Sequence, residues 1–151
     1  MQRVSKEEFM GLAGHEAVSS TWLEVDQDRI NQFADATNDH QYIHVDPGRA
    51  AQTPMGTTIA HGFLTLSLLP YLSEEIAVVP DSYKMVFNYG LNKVRFMSPV
   101  KVGAEVRLRS KILGVTEKQP GRLLVATESA VEIRGEERPA LVAETLAMFV
   151  V

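Results

Sequence analysis

Between residues 62 and 76 the apolar positions come too densely for one helical face. Phe63, Leu64, Leu66, Leu68, Leu69, Leu72 and Ile76 cover nearly every side of a helix, which predicts a buried helix rather than a surface one. Fifteen residues at about 1.5 Å each make a rod of roughly 22 Å. Pro70 should bend it or loosen one turn. Gly62 opens it and leaves the first backbone N–H groups open to a ligand, at the positive end of the helix dipole.

Upstream, Ser19 to Val25 reads as a strand. Asp26 reads as an N-cap, with Ile30, Phe33 and Ala34 at helical spacing to about Thr37. Asn38-Asp39 ends that helix, and residues 39 to 44 are polar without a clear period. Asp46-Pro47 starts a further turn of helix through Ala51. Downstream the pattern switches to strands at Met85–Tyr89 and Lys93–Phe96, with Asn88 to Asn92 read as a turn. Val106, Leu108, Ser110 and Ile112 alternate with Arg107, Arg109 and Lys111, a half-buried strand. Pro120-Gly121 and Gly135-Glu136 are turns around Leu124–Ile133, and Ala140–Val150 is a last strand apolar on both faces. Antiparallel strands after one long buried helix predict an α+β fold, a curved sheet wrapped around that helix.

A chain of 151 residues fits one domain spanning residues 1–151. The net charge of −4 argues against nucleic acid as a partner. The absence of cysteine excludes thiolate catalysis and fits a reducing, cytoplasmic location. Met1–Gly11 has Lys6, Glu7 and Glu8 and no apolar h-region, so it does not read as a signal peptide. The apolar run is too broken to read as a membrane span.

The histidines carry the candidate chemistry. His40 and His44 have the i, i+4 spacing of a helical metal pair, but their segment does not read as a helix, so no metal is expected. Asp39 with His44 is the better candidate, a carboxylate beside an imidazole that titrates near neutrality. Spacing alone favours the plainer reading, in which Asp39 ends the helix and His44 is a partly buried structural residue.

The run Phe33-Ala34-Asp35-Ala36-Thr37-Asn38-Asp39-His40-Gln41-Tyr42-Ile43-His44-Val45-Asp46, followed by Gly56-Thr57-Thr58-Ile59-Ala60-His61-Gly62, resembles the MaoC-like dehydratases, including the (R)-specific enoyl-CoA hydratases and nodulation protein N-like proteins. Their pattern is Asp-x-Asn-Pro-(Leu/Ile/Val)-His, then a small-residue loop ending in His-Gly. Gly90-Leu91-Asn92-Lys93-Val94-Arg95-Phe96, with Pro99-Val100 and Gly103, extends the likeness. The resemblance implies a hot-dog fold, an antiparallel sheet around a long central helix. It also implies Asp39 and His44 as the catalytic pair, with Asp39 favoured as base and His44 as acid, and the Gly62 amide as oxyanion donor. It further implies a symmetric homodimer and an acyl-CoA substrate, a trans-2-enoyl thioester hydrated to the (R)-3-hydroxyacyl product, with no separate cofactor.

Gln41 and Tyr42 stand where the family has Asn and Pro, so both bear on substrate binding. Tyr42 either lines the acyl pocket or packs beside the loop, and His61 either touches substrate or fixes the loop. Lys93, Arg95, Arg107 and Arg109 are candidates for coenzyme A phosphates or a solvated face. The alternatives are a thioesterase, against which Glu74 and Glu75 lie at the wrong end of the helix, and a binding protein without chemistry.

Overall fold

A computed structural model describes residues 1–151. The chain opens with β1 (Gln2–Val4) and α1 (Lys6–Met10), then β2 (Glu16–Val18) and β3 (Leu23–Val25). A helical region follows: α2 (Gln27–Thr37), α3 (Tyr42–Val45), α4 (Pro47–Ala50), α5 (Gly62–Ser67) and α6 (Leu69–Ser73). The rest is strand: β4 (Val78–Pro80), β5 (Met85–Phe96), β6 (Ala104–Gln119), β7 (Arg122–Ile133) and β8 (Leu141–Val150). The main sheet runs β2-β6-β7-β8-β5, with β3 also on β6. Its pairs are antiparallel throughout. The α+β class and the antiparallel sheet therefore stand.

The single long central helix does not. The run divides into Gly62–Ser67 and Leu69–Ser73, joined at Leu68, where ψ is −13°. Pro70 is the reason: it has no N–H to offer the carbonyl of Leu66, one turn back. Glu74 to Ile76 then turn away, and the Glu75 carboxylate accepts hydrogen bonds from the backbone N–H groups of Ser20 and Thr21 and from the Ser20 hydroxyl. The apolar density does not mean burial on every side: Phe63, first of the apolar residues, and Tyr71 are exposed, and only one side of the run faces the core. Leu64, Leu68, Leu69 and Leu72 pack in one core with Val106, Leu108, Val131 and Leu141 of the sheet.

Other elements follow local chemistry. Asp26 caps α2 through the Arg29 N–H at 2.8 Å, and Asp46 caps α4 through the Arg49 N–H at 3.0 Å with Pro47 first in the helix. Asn38 ends α2 with φ 58°, the left-handed conformation that asparagine tolerates. Residues 85 to 96 form one strand, not two strands and a turn: β5 stays paired with β8, with register shifts at Asn88/Gly90 and Leu91/Lys93 that absorb the irregular residues. Of the strand expected over Ser19–Val25 only Leu23–Val25 (β3) forms; residues 19–22 are a link from β2 that Ser19 fastens to Leu108 in both directions.

Candidate active site

Three runs of chain meet at the stacked rings of His44 and His61: the end of α2 with Asp39, the short α3 with His44, and the Thr58–His61 strap. The strap is fixed on both sides. Ile59 N–H donates to Ile43 O at 3.0 Å, and Ala60 N–H donates to Val100 O at 2.8 Å. Gln27, on α2, ties the pieces together: its Nε2 donates to His44 O at 2.8 Å, and its Oε1 accepts from the Thr58 hydroxyl.

His44 is buried. Its Nδ1 lies 2.7 Å from Ile59 O, and a carbonyl only accepts, so Nδ1 carries the proton. Neutral His44 then has a bare Nε2. Burial holds its pKa below the ordinary histidine value and nearby His61 lowers it further, outweighing the Ile59 carbonyl and the Asp39 charge. His44 is therefore a neutral acceptor at neutral pH.

His61 is buried, stacked on His44 with ring centroids 3.8 Å apart, and Phe33 closes its other side at 5.0 Å. His61 Nε2 donates to the backbone carbonyl of Asp39 at 2.9 Å, and the Asp39 carboxylate lies 4.0 Å away. His61 Nδ1 is buried without a partner. Asp39 itself is exposed to solvent. A carboxylate oxygen of Asp39 and one ring nitrogen each of His44 and His61 fall within 4.8 Å of one another. That spacing lets one water bridge carboxylate and imidazole. The same three groups could in principle hold a metal ion. However, the rings lie only 24° from parallel, so their in-plane lone pairs run side by side instead of converging on one ion, which binds at about 2.0–2.1 Å.

Gly62, next to His61, begins α5. A Cβ there would stand 3.0 to 3.3 Å from the Phe96 ring, so a side chain would press on that ring. Gln41 precedes α3, and its N–H reaches the Asp39 carboxylate at 3.4 Å. The Tyr42 ring lies under the Arg49 guanidinium at 4.2 Å. His40 faces solvent, paired with Asp35 at 2.8 Å. Arg107 and Arg109 both bind Glu132. The sequence reading missed Gln27, Phe33 and Phe96. Their roles depend on contacts across elements, and their only local signal is helical or strand periodicity.

A cavity of about 740 Å³ lies between α5–α6 and the inner face of the sheet. It begins at Leu66, four residues and so about 6 Å along the helix from Gly62.

An imidazole held as an acceptor and a carboxylate within one water of it are groups that can move a proton to and from a substrate. The chain belongs to the MaoC like domain family, whose pattern it matches over residues 8–133. It is 49% identical over 138 residues to 3-hydroxyacyl-thioester dehydratase Z of Mycobacterium tuberculosis, covering 91% of each chain. It is 47% identical over 150 residues to nodulation protein N of Rhizobium leguminosarum bv. viciae, covering 98% of this chain and 92% of that one. Among solved structures it resembles an (R)-hydratase from A. caviae involved in PHA biosynthesis, with a TM-score of 0.72 and 24% identity over 89% of this chain and 94% of that one. At that identity the likeness speaks for the fold.

Proposed function

We infer that the chain is an acyl-thioester hydratase–dehydratase, a hydro-lyase interconverting trans-2-enoyl and (R)-3-hydroxyacyl thioesters. The observation that supports this is a buried His44 whose Nδ1–H is held by the Ile59 carbonyl, which leaves Nε2 bare, and whose ring has a nitrogen within 4.8 Å of an Asp39 carboxylate oxygen. In hydration, the Asp39 carboxylate accepts one O–H of a water and orients it. His44 Nε2 takes the other proton as the oxygen bonds to C3 of the enoyl group. The electron pair of the double bond moves toward the thioester oxygen, which accepts a hydrogen bond from Gly62 N–H. The imidazolium then returns its proton to C2. Water has been added, and His44 is neutral again. The expected order, Asp39 as base and His44 as acid, would need a protonated His44, against which the burial of that imidazole weighs. With α5 only six residues long, Gly62 acts as a local donor of one hydrogen bond, a kind of contact worth about 2.7–4 kcal/mol of barrier in other enzymes.

The acyl chain runs from Gly62 along α5 into the cavity at Leu66, and coenzyme A leaves on the β5 side. Lys93 and Arg95 lie there on the strand that ends at Phe96. Gln41, Tyr42 and His61 frame the thioester end, and no cofactor or metal takes part, so chelation should leave turnover intact. β5 pairs only with β8 and exposes Phe87, Tyr89, Leu91 and Phe96 beside Phe63. An open edge bearing that much apolar surface supports a symmetric homodimer, which a monomer in sedimentation equilibrium would rule out. No helix is long and apolar enough to cross a membrane, and the cysteine-free chain fits a cytoplasmic enzyme.

Crotonyl-CoA tests the reading. Its enone absorbance should fall on addition of the protein, and the product should be the (R) alcohol, with no thiol released. An unchanged spectrum, or free thiol in place of the alcohol, would refute it.

A further inference from the structure

The sheet side of the cavity beside α5 carries a band of hydroxyls between apolar residues. Alternation turns one row of each strand inward. On β7 that row reads Leu123, Val125, Thr127, Ser129, Val131, Ile133, with the branched residues buried at both ends. The middle pair is small and hydroxylated. The neighbouring strands repeat the interruption at the same level: Ser110 of β6 stands directly opposite Ser129, and Thr145 of β8 directly opposite Thr127. All four side chains line the cavity. The space exists because these positions lack the bulk that fills the sheet elsewhere.

Small size alone would be supplied by alanine, as at Ala143 next along the row. The hydroxyls add a second fact. Ser129 is only 4% exposed, yet its Oγ and that of Ser110 make no hydrogen bond within the protein, whereas Thr145 Oγ1 donates to Thr127 O at 3.3 Å. Neither hydroxyl is sealed off: both residues line the open cavity, and an apolar chain filling it would leave the hydroxyls without a partner, which is destabilising.

We propose that this cavity selects acyl thioesters whose chain carries an oxygen, a hydroxyl or a keto group, some carbons beyond the reacting double bond, and that Ser129 with Ser110 hydrogen-bonds it. A serine hydroxyl both donates and accepts, so either oxygen function is matched. A plain alkyl chain would fill the same space and leave both hydroxyls unpaired. The inference rests on the proposed thioester chemistry for the cavity's orientation, but binding can be read without turnover.

The test is calorimetric. Saturated acyl-CoA pairs of six, eight and ten carbons, each ending in either a methyl or a hydroxyl group, are titrated into the wild type and the Ser129→Val and Ser110→Ala variants. At the length that reaches Ser129, the wild type should bind the hydroxyl-ended chain about 5-fold more tightly than its methyl partner. Each variant should reverse that order. The ratio is taken within one protein, so general damage to a variant cancels. Ser129→Ala serves if Ser129→Val does not fold. A wild type that prefers the methyl-ended chain at every length would overturn the proposal, and so would a hydroxyl preference that survives both variants. Crotonyl-CoA hydration by the wild type, run alongside, reports separately on the catalytic reading.

Discussion

The sheet of β6, β7 and β8 and the segment from Asp39 to Gly62 are stabilised in opposite ways. In the sheet the same interaction recurs. Val106, Leu108, Leu123, Val131 and Leu141 are each almost fully buried by neighbours of the same kind, and ladder hydrogen bonds repeat along each pair. In the segment nearly every tie occurs once: Gln27 to His44, Ile59 to Ile43, Ala60 to Val100, His61 to Asp39. Losing one sheet contact lowers stability and leaves the pattern. Losing one tie in the segment changes where a functional group points. The molecule thus keeps its redundancy in the scaffold and places its chemistry where there is none.

The largest break in that comparison should come from the reacting groups. Asp39→Asn and His44→Ala should each lower kcat for crotonyl-CoA about 100-fold or more, with little change in melting temperature for Asp39→Asn, since that side chain is exposed. Near wild-type turnover in both would remove the pair from the mechanism. In the wild type, kcat/KM should hold across neutral pH and fall on the acid side only below the ordinary histidine range. Burial depresses the His44 pKa, so protonation, which abolishes the acceptor, is delayed to lower pH.

A smaller effect separates positioning from bulk. His61→Phe keeps an aromatic ring between Phe33 and His44 and removes the orphaned Nδ1, so the fold should be retained. It also removes the donor to the Asp39 backbone carbonyl, so kcat should fall about 10-fold, as the backbone that carries the carboxylate is no longer held. The neighbouring imidazole helps keep the His44 pKa low. Replacing it should therefore move the acid limb of kcat/KM toward higher pH. A variant with unaltered kcat and an unmoved limb would make His61 mere packing.

The same contrast explains what could be read in advance. Strand β6 was legible because Val106, Leu108, Ser110 and Ile112 alternate with charged residues, and the start of α2 because Asp26 offers a cap. Asp39 and His44 were legible as a pair because one short polar run carries both. The stacking of His61 on His44 and the grip of Gln27, seventeen residues from His44, are contacts across elements with no local pattern. Apolar density at residues 62–76 marked the core leucines but neither the exposed side of the run, where Phe63 and Tyr71 face outward, nor its continuity, since Pro70 acts on the hydrogen-bond ladder and not on hydrophobicity. The two bulges of β5 misled in the other direction: Asn88, Gly90 and Asn92 are turn-forming residues that a strand can carry only where its register slips.

Glu75 gives the smallest effect and the finest distinction, because it is a single polar tie outside the site. Its carboxylate receives the Ser20 hydroxyl, the strongest influence on it, and the Thr21 and Ser20 N–H groups, and its pKa is lowered to about 2. The folded protein therefore holds the ionised form more tightly than the unfolded chain does. That stabilisation is complete above the ordinary glutamate pKa of about 4.3 and is lost as pH falls toward 2. Glu75→Gln should leave crotonyl-CoA turnover unchanged and lower the melting temperature slightly at neutral pH. The gap between wild type and variant should then close progressively through that acid window. A gap that stayed constant down to the lowest pH would mean that Glu75 ties the end of α6 to the β2–β3 link by shape alone. A loss of turnover at neutral pH would mean that the redundancy assigned to the scaffold does not extend to the far end of the helix pair that carries Gly62.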